Sequence, residues 1–162
     1  MLNDLEKETP FVPVTPVPAA TVMVLRDTPS GIEVLMVQRT KKADFAGGAL
    51  LFPGGKVDED DHHLLASKLC DLSEPIENEL RALRIAGARE IFEEAGLLFA
   101  RDPESRQLID DVRAQEINGK YRQKLLEKEL TFSQIISDEG LMVATDLLVP
   151  FAHWITPITG KK

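Results

Sequence analysis

"REIFEEAGL", residues 89–97, sets three glutamates, Glu90, Glu93 and Glu94, immediately ahead of Gly96. On a helix turning about 100° per residue these side chains occupy i, i+3 and i+4 and share one face. Each like-charged pair at that spacing opposes the helix by about 0.2–0.5 kcal/mol, and the last turn is where the helix dipole already disfavours anions. Two readings follow. Glutamates on a helix taken alone usually form a solvated face, whereas three that converge on one side of a rigid element can cradle a cation.

Working outward, the stretch sits at the end of a helix expected over about Glu74–Ala95, with Ser73 as N-cap, Pro75 in the first turn and Gly96 as the stop. Its apolar stripe reads as Leu80, Leu83, Gly87 and Ile91, with Ala95 at the margin. The acids lie beside that stripe, flanked by small Ala82 and Ala86, which leave room for a ligand. Hard oxygen donors so placed suit Mg²⁺ or Mn²⁺, ions that usually keep waters for a substrate phosphate.

Upstream, Pro10, Pro13, Pro16 and Pro18 make residues 1–18 an extended leader, and the domain is expected over 19–162. "ATVMVLRD" and "IEVLMVQRT", separated by the turn residues of "DTPSG", predict an antiparallel hairpin. "ALLF" predicts a short strand, "PGGKVDEDD" a loop and "HHLLASKLCDL" a short helical stretch. Downstream, "LLFA" predicts a strand, residues 104–130 one or two helices interrupted at Asn118 and Gly119, and "SQIISDEG" a brief helix. "DLLVPFAHWITP" predicts at least one further strand with Trp154 in the core.

The 162 residues suffice for one domain with a real core. With 43% hydrophobic and 28% charged residues and no apolar window near the roughly 20 residues that span a bilayer, no membrane segment is expected. The start "MLNDLEKETP" lacks the basic and apolar runs of a secretory signal. The single cysteine, Cys70, cannot form an internal disulfide, which predicts a reducing, cytoplasmic setting; it reads as an apolar filler. A formal charge of −8 argues against a nucleic-acid surface. It does not argue against a phosphorylated small molecule, because carboxylates holding a divalent ion reverse the local field.

"GGKVDEDD" followed by "REIFEEAGL" resembles the Nudix box: a glycine, five residues, a glutamate, seven residues, then Arg-Glu, an aliphatic, any residue, Glu-Glu, any residue, Gly and an aliphatic. Arg89, Glu90, Ile91, Glu93, Glu94, Gly96 and Leu97 match its second half, and Gly55 fits the leading glycine. Asp61 stands where the first glutamate belongs. Asp61 and Arg89 lie 28 positions apart where the box has 8, so 20 residues are inserted, as in a branch that resembles coenzyme A diphosphatases.

The resemblance implies an α/β (α+β) fold, an α/β/α sandwich around a mixed sheet. It implies hydrolysis of a nucleoside diphosphate derivative, with coenzyme A-like or ADP-ribose-like substrates, by metal-activated water. Such a polyanion needs cationic charge before hydroxide can approach. Glu90, Glu93 and Glu94 would be ligands, Gly55 or Gly54 would offer a backbone carbonyl, and Arg89 would orient a carboxylate. Asp61 would stabilise the loop. The general base stays open between a box glutamate and Asp138, Glu139 or Asp146.

Arg39, with Lys41 and Lys42, would meet substrate phosphates or form a solvated loop. The coenzyme A signature is partial, since Asp44 stands where a basic residue is expected. His62 and His63 read better as polar loop than as a second metal site, and "DEDDHH" lacks the glycine and final glutamate of a calcium loop. In the family pattern a strand and closing helix follow "WITP", so the domain is expected to be incomplete at its C-terminus, with an exposed edge that invites association, including a homodimer. A second reading follows: a Nudix-like scaffold that binds nucleotide, metal or another chain without turnover.

Overall fold

The computed structural model describes residues 15–38 and 48–155. Eight short strands form four two-stranded antiparallel ladders. β1 (Ala19–Thr21) pairs with β6 (Gly54–Lys56), and β2 (Leu25–Thr28) with β3 (Gly31–Val34). β4 (Val37–Gln38) pairs with β5 (Leu50–Leu51), and β7 (Ala100–Arg101) with β8 (Met142–Val143). A parallel bridge joins Cys70 to Val143. The predicted hairpin is β2–β3, where Gly31 takes a φ of 125° that only glycine adopts freely. "PGGK", expected as loop, extends into β6. Its Gly54 stands so close to β1 that a Cβ would lie 2.4 Å from the Ala20 carbonyl.

Four helices accompany the strands: α1 (Glu59–Ala66), α2 (Asn78–Ala95), α3 (Asp111–Leu126) and α4 (Phe132–Asp138). α1 begins inside "DEDD" because Asp58 and Asp61 form a reciprocal capping box, and Glu59, Asp60 and Asp61 favour the positive end of the helix. α2 starts four residues later than the expected Glu74. Ser73 is not its cap. Arg81 donates to the Glu74 carbonyl at 2.6 Å and Arg84 to the Glu74 carboxylate at 2.5 Å, so residues 74–77 run back along the helix instead of coiling into it.

α2 is buried on most of its circumference. Gly87 and Ile91 of the predicted stripe are buried, but Leu80, Leu83 and Ala95 are only half-buried, and Ile85, Ala88 and Phe92 enter the core. They pack with Leu64, Cys70, Ile117, Tyr121, Leu125, Phe132, Ile135, Ile136 and Val143, with the Phe92 and Phe132 rings 6.0 Å apart. The strand side explains Gly87: a Cβ there would meet Val22 at 2.8 Å and Leu148 at 2.9 Å. One stripe could not be read because both sides of the helix are packed.

α3 is continuous through Asn118 and Gly119, against the expected interruption; Ile117, Tyr121 and Leu125, at i, i+4 and i+8, anchor it to the core. Among the described residues of "DLLVPFAHWITP" there is no strand. A single 3₁₀ turn, Thr145–Leu147, precedes an irregular segment, and Trp154 is 87% exposed, not core. Pro150, without an N–H to donate, interrupts any ladder there. No helix of the described residues is long and apolar enough to cross a membrane.

Candidate functional site

The last two turns of α2 face β6, and Arg89 joins them. Its Nε donates to Asp61 Oδ1 at 3.0 Å, and its Nη2 to Asp61 Oδ2 at 3.1 Å and to the Lys56 carbonyl at 2.9 Å. Its Nη1 donates to Glu90 Oε1 at 2.8 Å and to Glu93 Oε1 at 3.0 Å. All five guanidinium N–H groups are thereby used, which lysine could not reproduce. Asp61, 28 residues upstream, is fully buried and also accepts the Asp58 amide at 2.8 Å. The sequence suggested a loop-stabilising role for Asp61; the contacts add that it fixes Arg89.

Glycine makes the approach possible. At Gly55 a Cβ would lie 2.2 Å from Glu90 Oε1, so any side chain there would displace that carboxylate. The Gly54 amide donates to Glu94 Oε2 at 3.2 Å. Glu90 and Glu94 therefore meet β6, and Glu93 meets Arg89, rather than a space over Ala82 and Ala86, which are buried. Burial raises the pKa of Glu90, Arg89 lowers it again, and the charges of Glu93 and Glu94 raise it further, leaving it above the usual carboxylate range. Arg89 is held charged: burial opposes this, but Asp61, Glu93 and Glu90 outweigh it.

Among the described residues no three His, Cys, Asp or Glu side chains converge closely enough to enclose an ion. Glu90 and Glu93 turn to Arg89, and Glu94 to Gly54. The donor chemistry still fits a hard divalent cation: three carboxylates share one end of a helix, and Glu90, raised chiefly by burial and further by the charges of Glu93 and Glu94, stands where a cation would favour its ionised form.

The helix end is closed by groups the sequence reading missed. Gly96 takes the left-handed conformation, φ 71°, and its amide bonds the Phe92 carbonyl at 2.9 Å, as expected of a C-terminal glycine. Arg122, from α3, donates Nε to the Phe92 and Glu93 carbonyls at 3.1 and 2.9 Å, and Nη2 to the Glu94 carbonyl at 3.2 Å. No motif announces a contact between residues about 30 positions apart.

Of the candidate bases, Glu139 pairs with Arg113 and Lys120 and accepts from Tyr121. The Lys120 and Tyr121 bonds lower its pKa, which burial opposes and the charge of Arg113 reinforces. Asp146 pairs with Arg101 at 2.5 Å, and Asp138 is exposed on α4. His62 and His63 are exposed on α1. Cys70 is buried, the filler it was expected to be. Arg39, Lys41, Lys42 and Asp44 lie outside the described residues.

No family model matches the chain. It is similar to the acyl-coenzyme A diphosphatase NUDT19 of Gallus gallus, 25% identical over 168 residues, covering 80% of this chain and 44% of that protein. The Xenopus laevis protein of the same name is 25% identical over 167 residues, covering 82% and 44%. The chain thus spans under half the length of the curated relatives it matches. Among solved structures it resembles a NUDIX hydrolase from Alicyclobacillus acidocaldarius, 30% identical, with a TM-score of 0.55 over 80% of this chain and 57% of that one.

Proposed function

We propose that this chain, Nudix-like in sequence and in fold, is a pyrophosphohydrolase that cleaves the diphosphate of a nucleoside diphosphate derivative. The observation that carries the reading is the Arg89 hub, which draws Asp61, Glu90 and Glu93 together beside Gly54 and Gly55. The names of the relatives support a coenzyme A or acyl-coenzyme A substrate; ADP-ribose-like compounds share the same linkage. A bound Mg²⁺ or Mn²⁺ would neutralise the diphosphate and lower the pKa of a coordinated water.

The chain's own groups have these roles in the proposal. Glu90, Glu93 and Glu94 hold the ion, with Gly55 offering its carbonyl and, by lacking a side chain, admitting Glu90. Arg89 orients Glu90 and Glu93 without meeting substrate, since its donors are already engaged. Gly54 positions Glu94, and Arg39 is the proposed phosphate contact. A box glutamate suits the base role better than Glu139 or Asp146, both tied to cations. Cytoplasmic residence remains part of the proposal.

Incubation with coenzyme A, acyl-coenzyme A and ADP-ribose in Mg²⁺ or Mn²⁺, followed by chromatography, should reveal paired phosphomonoester products. No product from any substrate, with the fold intact and metal bound, would overturn the enzyme reading in favour of a binding scaffold. Exposed Val149, Phe151, Trp154 and Ile155 support self-association of such a scaffold or of the enzyme. Sedimentation as a monomer at all concentrations would remove the homodimer.

A further inference from the structure

The carbonyl clamp made by Arg122 has no part in the box, and it addresses the electrostatic oddity of that helix. α2 ends in three acids with no basic residue in its last turn. The carbonyl end of a helix carries roughly half a negative charge, so the dipole and the acids add unfavourably. Arg89 sits within the carboxylates and cannot serve the carbonyls as well. Arg122 does so from another element, bonding the carbonyls of Phe92, Glu93 and Glu94.

Its own position is fixed. Tyr121 and Leu125 bury one side of α3, while Asn118, one turn before Arg122, stands where a Cβ on Gly96 would clash at 2.9 Å. Asn118 and Arg122, at i and i+4, thus form one face of α3 set against the end of α2. The two carbonyls of Glu93 and Glu94 are held from α3 while their carboxylates are held by Arg89 and Gly54.

We propose that Arg122 is a positioning residue for the cation site: by clamping the carbonyls of residues 92–94 it sets where the Glu93 and Glu94 carboxylates stand. This rests on the reading of those glutamates as metal ligands. The sign of its effect separates positioning from charge. Arg122 is a cation near a cation site, so removing its charge would by Coulomb's law alone tighten binding of a second cation. Loss of positioning weakens it.

The test is titration of the full chain with Mn²⁺ alone, followed by calorimetry or the electron paramagnetic resonance of free Mn²⁺, for wild type, Arg122→Met and Arg122→Lys. We expect Arg122→Met to bind about tenfold more weakly, the scale at which groups behind metal ligands act. Arg122→Lys, whose ammonium keeps part of the clamp but cannot span all three carbonyls, should lie between the two. A lowered melting temperature with unchanged or tighter Mn²⁺ binding in Arg122→Met would overturn the inference and leave a merely structural clamp. Should Arg122→Met fail to fold, Arg122→Lys at wild-type affinity would overturn it equally. Absence of Mn²⁺ binding by the wild type would instead overturn the metal reading itself.

Discussion

Asp61→Ala is the perturbation whose magnitude follows most directly from the geometry. It deletes two bonds to Arg89, at 3.0 and 3.1 Å, and one from the Asp58 amide, at 2.8 Å, at a position with no solvent exposure. Breaking a buried ion pair costs about 3–5 kcal/mol. Glu90 and Glu93 remain to neutralise Arg89, which favours the lower end, and loss of the capping interaction adds about 0.5–2 kcal/mol. The expected cost is about 3.5–5 kcal/mol, a fall in melting temperature of roughly 7–20 °C for a domain of this size. Asp61→Glu, which would restore the residue usual in the box, should also destabilise, by about 1–3 kcal/mol, because an extra methylene enters a filled site. Urea unfolding followed by far-ultraviolet circular dichroism is the suitable assay, since Trp154 is exposed and a poor reporter of the core. Asp61→Ala within 0.5 kcal/mol of wild type, or Asp61→Glu at least as stable as wild type, would refute the reasoning.

Glu94→Gln should abolish most hydrolysis while leaving stability unchanged or slightly raised, because it relieves repulsion and its Gly54 contact is to a neutral amide; Glu93→Gln should do the same to activity at a cost below about 1 kcal/mol, as it weakens one Arg89 bond. Thermal melts beside the product assay check both, and strong destabilisation by Glu94→Gln would point to a structural role. Burial would raise the pKa of Asp71, but Ser73 and Arg106 outweigh it and hold it at about 2, below its usual 3.8. Its contribution, about 1–2 kcal/mol after allowance for the exposure of Arg106, is present above pH 4 and lost as pH falls toward 2. Asp71→Asn should therefore lose that stability at pH 7 and converge with wild type near pH 2 in denaturation curves; equal stability at pH 7 would contradict it. Burial pushes the Cys70 thiol up to about 11, with Arg81 opposing and Asp71 reinforcing, so a disulfide reagent at pH 8 should label it only as the protein unfolds, and fast labelling of the native chain would contradict its burial.

What could be read from the sequence was whatever local chemistry decides. Gly96 ended the helix because only a left-handed residue closes it cheaply, and the β2–β3 hairpin followed from turn residues between β-branched runs. Glu90, Glu93 and Glu94 were legible as a group because helical spacing alone puts them on one face. What failed depended on distant partners. Ser73 looked like a cap, but Arg81 and Arg84 draw Glu74 away from the helix. Asn118 and Gly119 looked like a break, yet packing of Ile117, Tyr121 and Leu125 carries α3 through them. Trp154 looked like core because aromatic residues usually are, and nothing local shows that its segment lies against solvent.

The insertion ties these observations together. Twenty extra residues between Asp61 and Arg89 would, as a free loop, oppose their pairing through closure entropy. Here the inserted stretch is itself ordered. Leu64 and Cys70 enter the core, and Asp71 N donates to the Val143 carbonyl at 2.9 Å while Val143 N donates to Leu69 at 2.8 Å. Arg81 reaches the Asp71 carbonyl at 2.6 Å, and Thr145 Oγ1 bonds the same carbonyl at 2.9 Å. The middle of the inserted stretch, Leu69–Asp71, is thus fixed to β8 and α2 independently of the Asp61–Arg89 pair, and the ordering cost falls on core contacts rather than on the ion pair. That separation lets the box tolerate the insertion: Arg89 needs a carboxylate at one point in space, and α1, whose capping box with Asp58 the same Asp61 completes, delivers it there whatever follows in the chain.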